Sequence, residues 1–220
     1  MPGAFRLNRP HRRAVLLGLG ALPAPALAAP ERPVPLSPQD RALVDRAAAY
    51  LEGLTEARGR FVQTDPRGAV TQGELYLKRP GKARFAYDPP AGLLVVSDGG
   101  SVSIYNTRLK TFESYPLAAT PLSLFLARRI RLDRGVSVTR VARLADGFSI
   151  TARDARKEAE GEITLTFSDR PLQLAGWAVS DAQGQTTRVR VLGLERASGL
   201  NPALFVLKDP RPKGSGRAKM

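Results

Sequence analysis

The 220 residues include one histidine, His11, and no cysteine. Those two counts remove thiol nucleophiles, disulfides, iron–sulfur clusters and Cys-ligated zinc. His11 lies in a segment read below as a cleaved leader, so imidazole triads and imidazole metal sites go with it. Carboxylates remain. Asp154/Glu158 and Glu160/Glu162 could in principle serve as paired acid and base on a glycoside. They fall in polar stretches, and Glu160 and Glu162 share the wet face of a strand, so solvated charge is the better account. Asp98-Gly99-Gly100 has the composition of a phosphate loop but reads first as a hairpin turn. The chain is therefore expected to be no enzyme and to use no cofactor and no metal.

One residue is out of place in another sense. Along Gly73–Arg79 the odd positions Leu75, Leu77 and Arg79 share a face, while Glu74, Tyr76 and Lys78 share the other. A charge pointing with leucines is costly unless it is paired or hydrogen-bonded. Pro80 ends the strand there, which puts Arg79 at the rim of an apolar face. Two readings follow: a guanidinium snorkelling to water, or a latch donating to backbone carbonyls of whatever covers that face.

The elements that would position these residues follow from the sequence pattern. Arg6, Arg9, Arg12 and Arg13 precede the apolar run Ala14–Leu22, and Ala26-Leu27-Ala28 offers a small-x-small cleavage site; residues 1–28 read as an export signal. Nine residues rise only about 14 Å as a helix, too short to span a bilayer. Arg12-Arg13 leaves twin-arginine and general secretion both open. No cysteine follows the cleavage site, so the mature chain is expected to be unanchored and periplasmic. Residues 29–37 are a Pro-rich linker. Residues 208–220 are a basic tail, expected to be disordered.

With 34 Lys and Arg against 20 Asp and Glu, the chain carries +14. The arginines are scattered and no nucleic-acid motif accompanies them, so no nucleic-acid partner is expected. The surplus is either a solvated surface or an attraction to anionic lipid or an acidic partner. At 43% hydrophobic and 25% charged residues the chain is globular.

Ser37-Pro38 caps a helix carrying Leu43, Val44, Ala47, Ala48 and Leu51, extending to about Leu54. From there the period changes to two. Strands are expected at Arg58–Thr64, Ala69–Lys78, Ala83–Tyr87, Gly92–Ser97, Ser101–Asn106 and Lys110–Tyr115. After a break come Val136–Leu144, Gly147–Ala152, Glu160–Phe167, Leu172–Ser180 and Thr186–Leu194, with Leu204–Leu207 a short last strand. In the break, Thr120-Pro121 starts a two-turn helix with Leu122, Phe125 and Leu126 on one face. Val102 and Ile104 alternate with serines, and Ile163, Leu165 and Phe167 with polar residues, so each strand has one greasy side. A one-sided sheet of some eleven antiparallel strands must curl to cover that side.

The ordered series Phe61-x-Gln63, Gly73-Glu-Leu-Tyr-Leu-Lys-Arg-Pro-Gly81, Arg84-Phe-Ala-Tyr87, Val96-Ser-Asp-Gly99, Tyr105-Asn106, Thr120-Pro-Leu-Ser-Leu124 and Asp181-x-x-Gly-Gln-x-Thr187 resembles the periplasmic outer-membrane lipoprotein carrier (LolA) family. The resemblance implies a mainly β fold with helices: an incomplete, half antiparallel β-barrel closed by a helical lid, covering residues 38–207. It implies an acyl-chain cavity, whose lining by strand phase would be Phe61, Leu75, Leu77, Phe85, Val102, Ile104, Leu122, Phe125, Leu126, Ile163, Leu165 and Phe167. Phe85 stands where the family often has Trp. The family's lid-holding arginine corresponds to Arg79.

The implied function is a monomeric periplasmic carrier that shelters lipoprotein acyl chains between the inner and outer membranes. Cargo would come from an inner-membrane lipoprotein-releasing ABC transporter and pass to an outer-membrane acceptor. A lipid-sensing or lipid-binding periplasmic adaptor of the same fold is the alternative. Either role needs a dry hollow on the concave side of the sheet.

Overall fold

The structure is a computed structural model that describes residues 36–120, 122–127, 136–154 and 161–211, without the side chains of 124 and 154. The leader, the linker up to residue 35, the tail from residue 212 and the pairs drawn from Asp154, Glu158 and Glu160 lie outside what it describes. Pro121 does too.

Helix α1 spans Pro38–Glu52. The Ser37 hydroxyl oxygen accepts from the Asp40 backbone N–H at 3.1 Å, Pro38 occupies the first turn, and the Gly53 N–H closes the far end on Ala49. Leu43, Val44, Ala47 and Leu51 are its buried stripe. Ser37, at the end of the Pro-rich stretch, is the cap expected from sequence, and Leu36 beside it packs against the core.

Eleven strands follow: β1 Glu56–Thr64, β2 Val70–Lys78, β3 Lys82–Tyr87, β4 Leu93–Asp98, β5 Ser101–Asn106, β6 Thr111–Pro116, β7 Val136–Leu144, β8 Gly147–Asp154, β9 Glu162–Asp169, β10 Leu172–Ser180 and β11 Thr186–Arg196. Between β6 and β7 a 3-10 turn at Leu117–Ala119 leads into α2, Leu122–Leu126. All neighbours are antiparallel, in the order β6-β5-β4-β3-β2-β1-β11-β10-β9-β8-β7. The sheet is open, with β6 and β7 as its edges.

Two rings measure how strongly this sheet curls. Phe85 on β3 and Trp177 on β10 are four strand spacings apart, about 19 Å on a flat sheet. Their ring centroids are 5.9 Å apart. Such curvature needs places where backbones close up. At Gly73 an added Cβ would lie 2.1 Å from the Ala86 carbonyl oxygen, and at Gly176 2.3 Å from that of Val189. Irregular registers at Arg58/Arg60, Leu174/Gly176 and Val138/Arg140 bend β1, β10 and β7.

The expected short strand at Leu204–Leu207 does not form. Pro202–Phe205 is a 3-10 turn capped by Asn201, lying on β3 and β4. Proline at its start lacks the ladder N–H and presets a helical φ. This segment is strapped to the convex face. Lys78 Nζ donates to the Leu200 carbonyl at 3.1 Å, Arg84 to that of Leu204 at 3.1 Å, and the Leu200 N–H donates to Glu56 at 2.8 Å. Phe205 and Val96 are buried outside the main core cluster. Farther along, Arg211 pairs with Asp209 and lies over the Phe112 ring.

Candidate functional site

The concave face gathers one continuous apolar cluster from α1, α2 and nearly every strand. Nine of the twelve cavity residues expected from sequence are buried in it: Phe61, Leu75, Leu77, Phe85, Val102, Phe125, Leu126, Ile163 and Phe167. Leu122 and Leu165 are partly buried and pack against it. Ile104 is half-buried and stands outside the cluster, although it shares a face with Val102.

Sequence reasoning missed Trp177, Phe148, Ile150, Leu174, Val189 and Val191, all in the cluster. Trp177 could not be read by alternation. The register shift between Leu174 and Gly176 puts Leu174 and Trp177 on the same side although they are three apart. Being the only tryptophan was the one available signal. The ring Tyr50 contributes from α1 meets Phe167 edge-on at 6.0 Å.

α2 occupies the concave side rather than bordering it. Phe125 is 0% exposed and stacks on Trp177, and Leu126 is 1% exposed. Phe125 and Leu126 thus join the buried apolar side chains of the concave face. Two donors from the β2–β3 turn hold the end of this helix. The Gly81 backbone N–H donates to the Leu126 carbonyl at 2.8 Å, and the Arg79 guanidinium donates to the Ala127 carbonyl. The Arg79 backbone N–H is taken by Thr55 at 2.7 Å.

Arg79 is poorly solvated. Its Nε is buried without a partner among the described residues, and burial pushes the guanidinium below its ordinary value, with Glu52 opposing that in part. The side chain is half-buried and reaches the carbonyl of Ala127, the residue that follows α2. Asp98-Gly99-Gly100 is the β4–β5 turn, the Asp98 carboxylate accepting from the N–H groups of Gly100 and Ser101 at 2.8 Å each. Those donors are spent within the turn.

At the opposite end of the same face a polar pair interrupts the apolar floor. Tyr87 donates from its hydroxyl to Gln63 Oε1 at 2.7 Å, and its ring meets Phe61 edge-on at 4.9 Å. Thr71 stands directly across from Gln63 on β2.

The family model described as outer membrane lipoprotein carrier protein LolA matches residues 52–208. A protein of Methylococcus capsulatus named outer-membrane lipoprotein carrier protein is 28% identical over 174 residues, covering 75% of this chain and 83% of that one. One of the same name from Azotobacter vinelandii is 29% identical over 190 residues, covering 78% and 86%. A solved LolA superfamily structure from Nitrosomonas europaea overlays with a TM-score of 0.43 at 10% identity, covering 74% of this chain and 97% of that one.

Proposed function

The chain belongs to the outer membrane lipoprotein carrier (LolA) family, and from that premise we propose that it is a periplasmic carrier whose concave face shelters the acyl chains of lipoproteins in transit. The observation that carries this reading is α2. A five-residue helix placing Phe125 and Leu126 in the core, and held at its end by two hydrogen bonds, is a cover that can be exchanged for acyl chains of similar chemistry.

The energetics fit such an exchange. Three acyl chains of roughly forty methylenes in all would cost on the order of 30 kcal/mol to expose to water. A carrier must supply apolar shelter on that scale and still let go. When the empty protein buries its own Phe125 and Leu126, ligand binding is opposed by loss of those contacts, and net affinity falls below what burial alone would give. Arg79 acts as the latch of the closed, empty form. The leader directs export, cargo arrives from an inner-membrane ABC transporter, and an outer-membrane acceptor receives it.

Incubating the purified protein with spheroplasts tests this. Newly made lipoprotein should appear in the soluble fraction as a one-to-one complex with the carrier. Lipoprotein that stays on the membrane while another lipid co-purifies would overturn the cargo.

A further inference from the structure

We propose that Gln63 and Tyr87 form a polar subsite for the ester carbonyls of a diacylglyceryl group; this rests on the carrier reading and specifies the part of the ligand that is not hydrocarbon. Both side chains lie on the apolar side of the sheet by register. Gln63 follows the fully buried Phe61 by two residues on β1 and faces Val189 of the core across β11. Tyr87 packs against the same core from β3.

The pair is placed by the backbone. Gly73 sits between Phe61 and Tyr87 in the ladder and offers no side chain, so the two rings meet over it. That contact fixes the Tyr87 hydroxyl, which in turn occupies the Gln63 carbonyl oxygen. The Gln63 carboxamide N–H groups have no partner among the described residues, and neither does the Thr71 hydroxyl.

Gln63 and Thr71 are half-buried at the border of the apolar core, so an acceptor docked there would take the place of water on donors that no described side chain occupies. A hydrocarbon tail offers no acceptor. An ester carbonyl is an acceptor without a proton to give, so it complements the carboxamide where another donor would not. From Gly73 to Arg79 the strand runs about 20 Å. Tails anchored at Gln63 would therefore lie over Phe61, Leu75 and Leu77 in the direction of α2.

The test uses the full chain and two probes: a dipalmitoylglyceryl-cysteine lipopeptide and its counterpart with ether linkages in place of both esters. Gln63→Met and Tyr87→Phe keep side-chain volume and ring packing, and thermal unfolding checks that both fold. The wild type should bind the ester probe about tenfold tighter than the ether probe, the size expected of one hydrogen bond. Each variant should lose that preference while binding the ether probe unchanged. Equal wild-type affinity for the two probes, or an equal loss on both in the variants, would overturn the subsite with the carrier reading intact. Failure of the wild type to bind either probe would overturn both. The same ester and ether comparison with phosphatidylglycerol shows whether a lipoprotein or a membrane glycerophospholipid is the better source of the group.

Discussion

Phe125 of α2 lies stacked on Trp177 of β10, with centroids 5.4 Å apart and planes 24° from parallel. The chain's only tryptophan is therefore in contact with the element that the proposed exchange would displace. Trp177 also touches Phe85, so one residue joins the cover to the far side of the curled sheet.

Phe125→Ala should expose Trp177 to water and shift its fluorescence to longer wavelength. An acyl ligand added to this variant should reverse the shift. Emptying a fully buried Phe position costs about 3–5 kcal/mol, readable from urea unfolding. Emission unchanged by substitution and by ligand would mean that α2 does not cover the site in solution.

Arg79→Leu should fold with stability within about 1 kcal/mol of wild type, because a lost hydrogen bond is offset by a desolvated charge removed. Acyl-ligand retention should rise and handover to an acceptor should slow. Release measured at the wild-type rate would show that Arg79 is not a latch.

Gly73→Ala should be far worse than Gly99→Ala. The added Cβ at 73 meets backbone at 2.1 Å, whereas at Gly99 nothing lies within 4 Å and only a φ of 105° is strained. Gly99→Ala should cost roughly 1–2 kcal/mol, and Gly73→Ala should fail to yield soluble, cooperatively melting protein.

Burial pushes the Tyr87 phenol up from 10.0 to about 12. The folded state thus holds this proton more tightly than the unfolded chain does. The stability it contributes is fully present below pH 10 and lost as pH rises toward 12, a change of about 2–3 kcal/mol. Ultraviolet titration should show a late-ionising tyrosine that is absent from Tyr87→Phe, and that variant's stability should fall less over the same window.

Phe205→Ala should destabilise by about 3–4 kcal/mol while leaving acyl-probe affinity unchanged, since the strap lies on the convex face away from the concave core. A change in affinity would mean that the strap is coupled to the site.

The strands, α1 and the one-sided apolar pattern were legible because each depends on neighbours in sequence: Ser37-Pro38 as a cap, alternation in Ile163, Leu165 and Phe167, and Gly-rich turns such as Asp98–Gly100. Arg79 stood out for the same reason, a charge in the wrong phase of its own strand. Alternation failed where the register shifted. Trp177 joins the core only because β10 bulges after Leu174, and Ile104 misses the cluster although its phase is correct. The Leu204–Leu207 segment has the residues of a strand, but its backbone closes on itself, Leu204 N–H on Asn201 and Val206 N–H on Ala203, and the Leu204 carbonyl is claimed by Arg84, 120 residues away. Local sequence determined which face of each strand is apolar, because side-chain direction alternates with the backbone itself. How far that face closes, what fills it and which donor meets which carbonyl were decided by the curl of the sheet, because curvature accumulates over many strands and brings together residues that no local pattern relates.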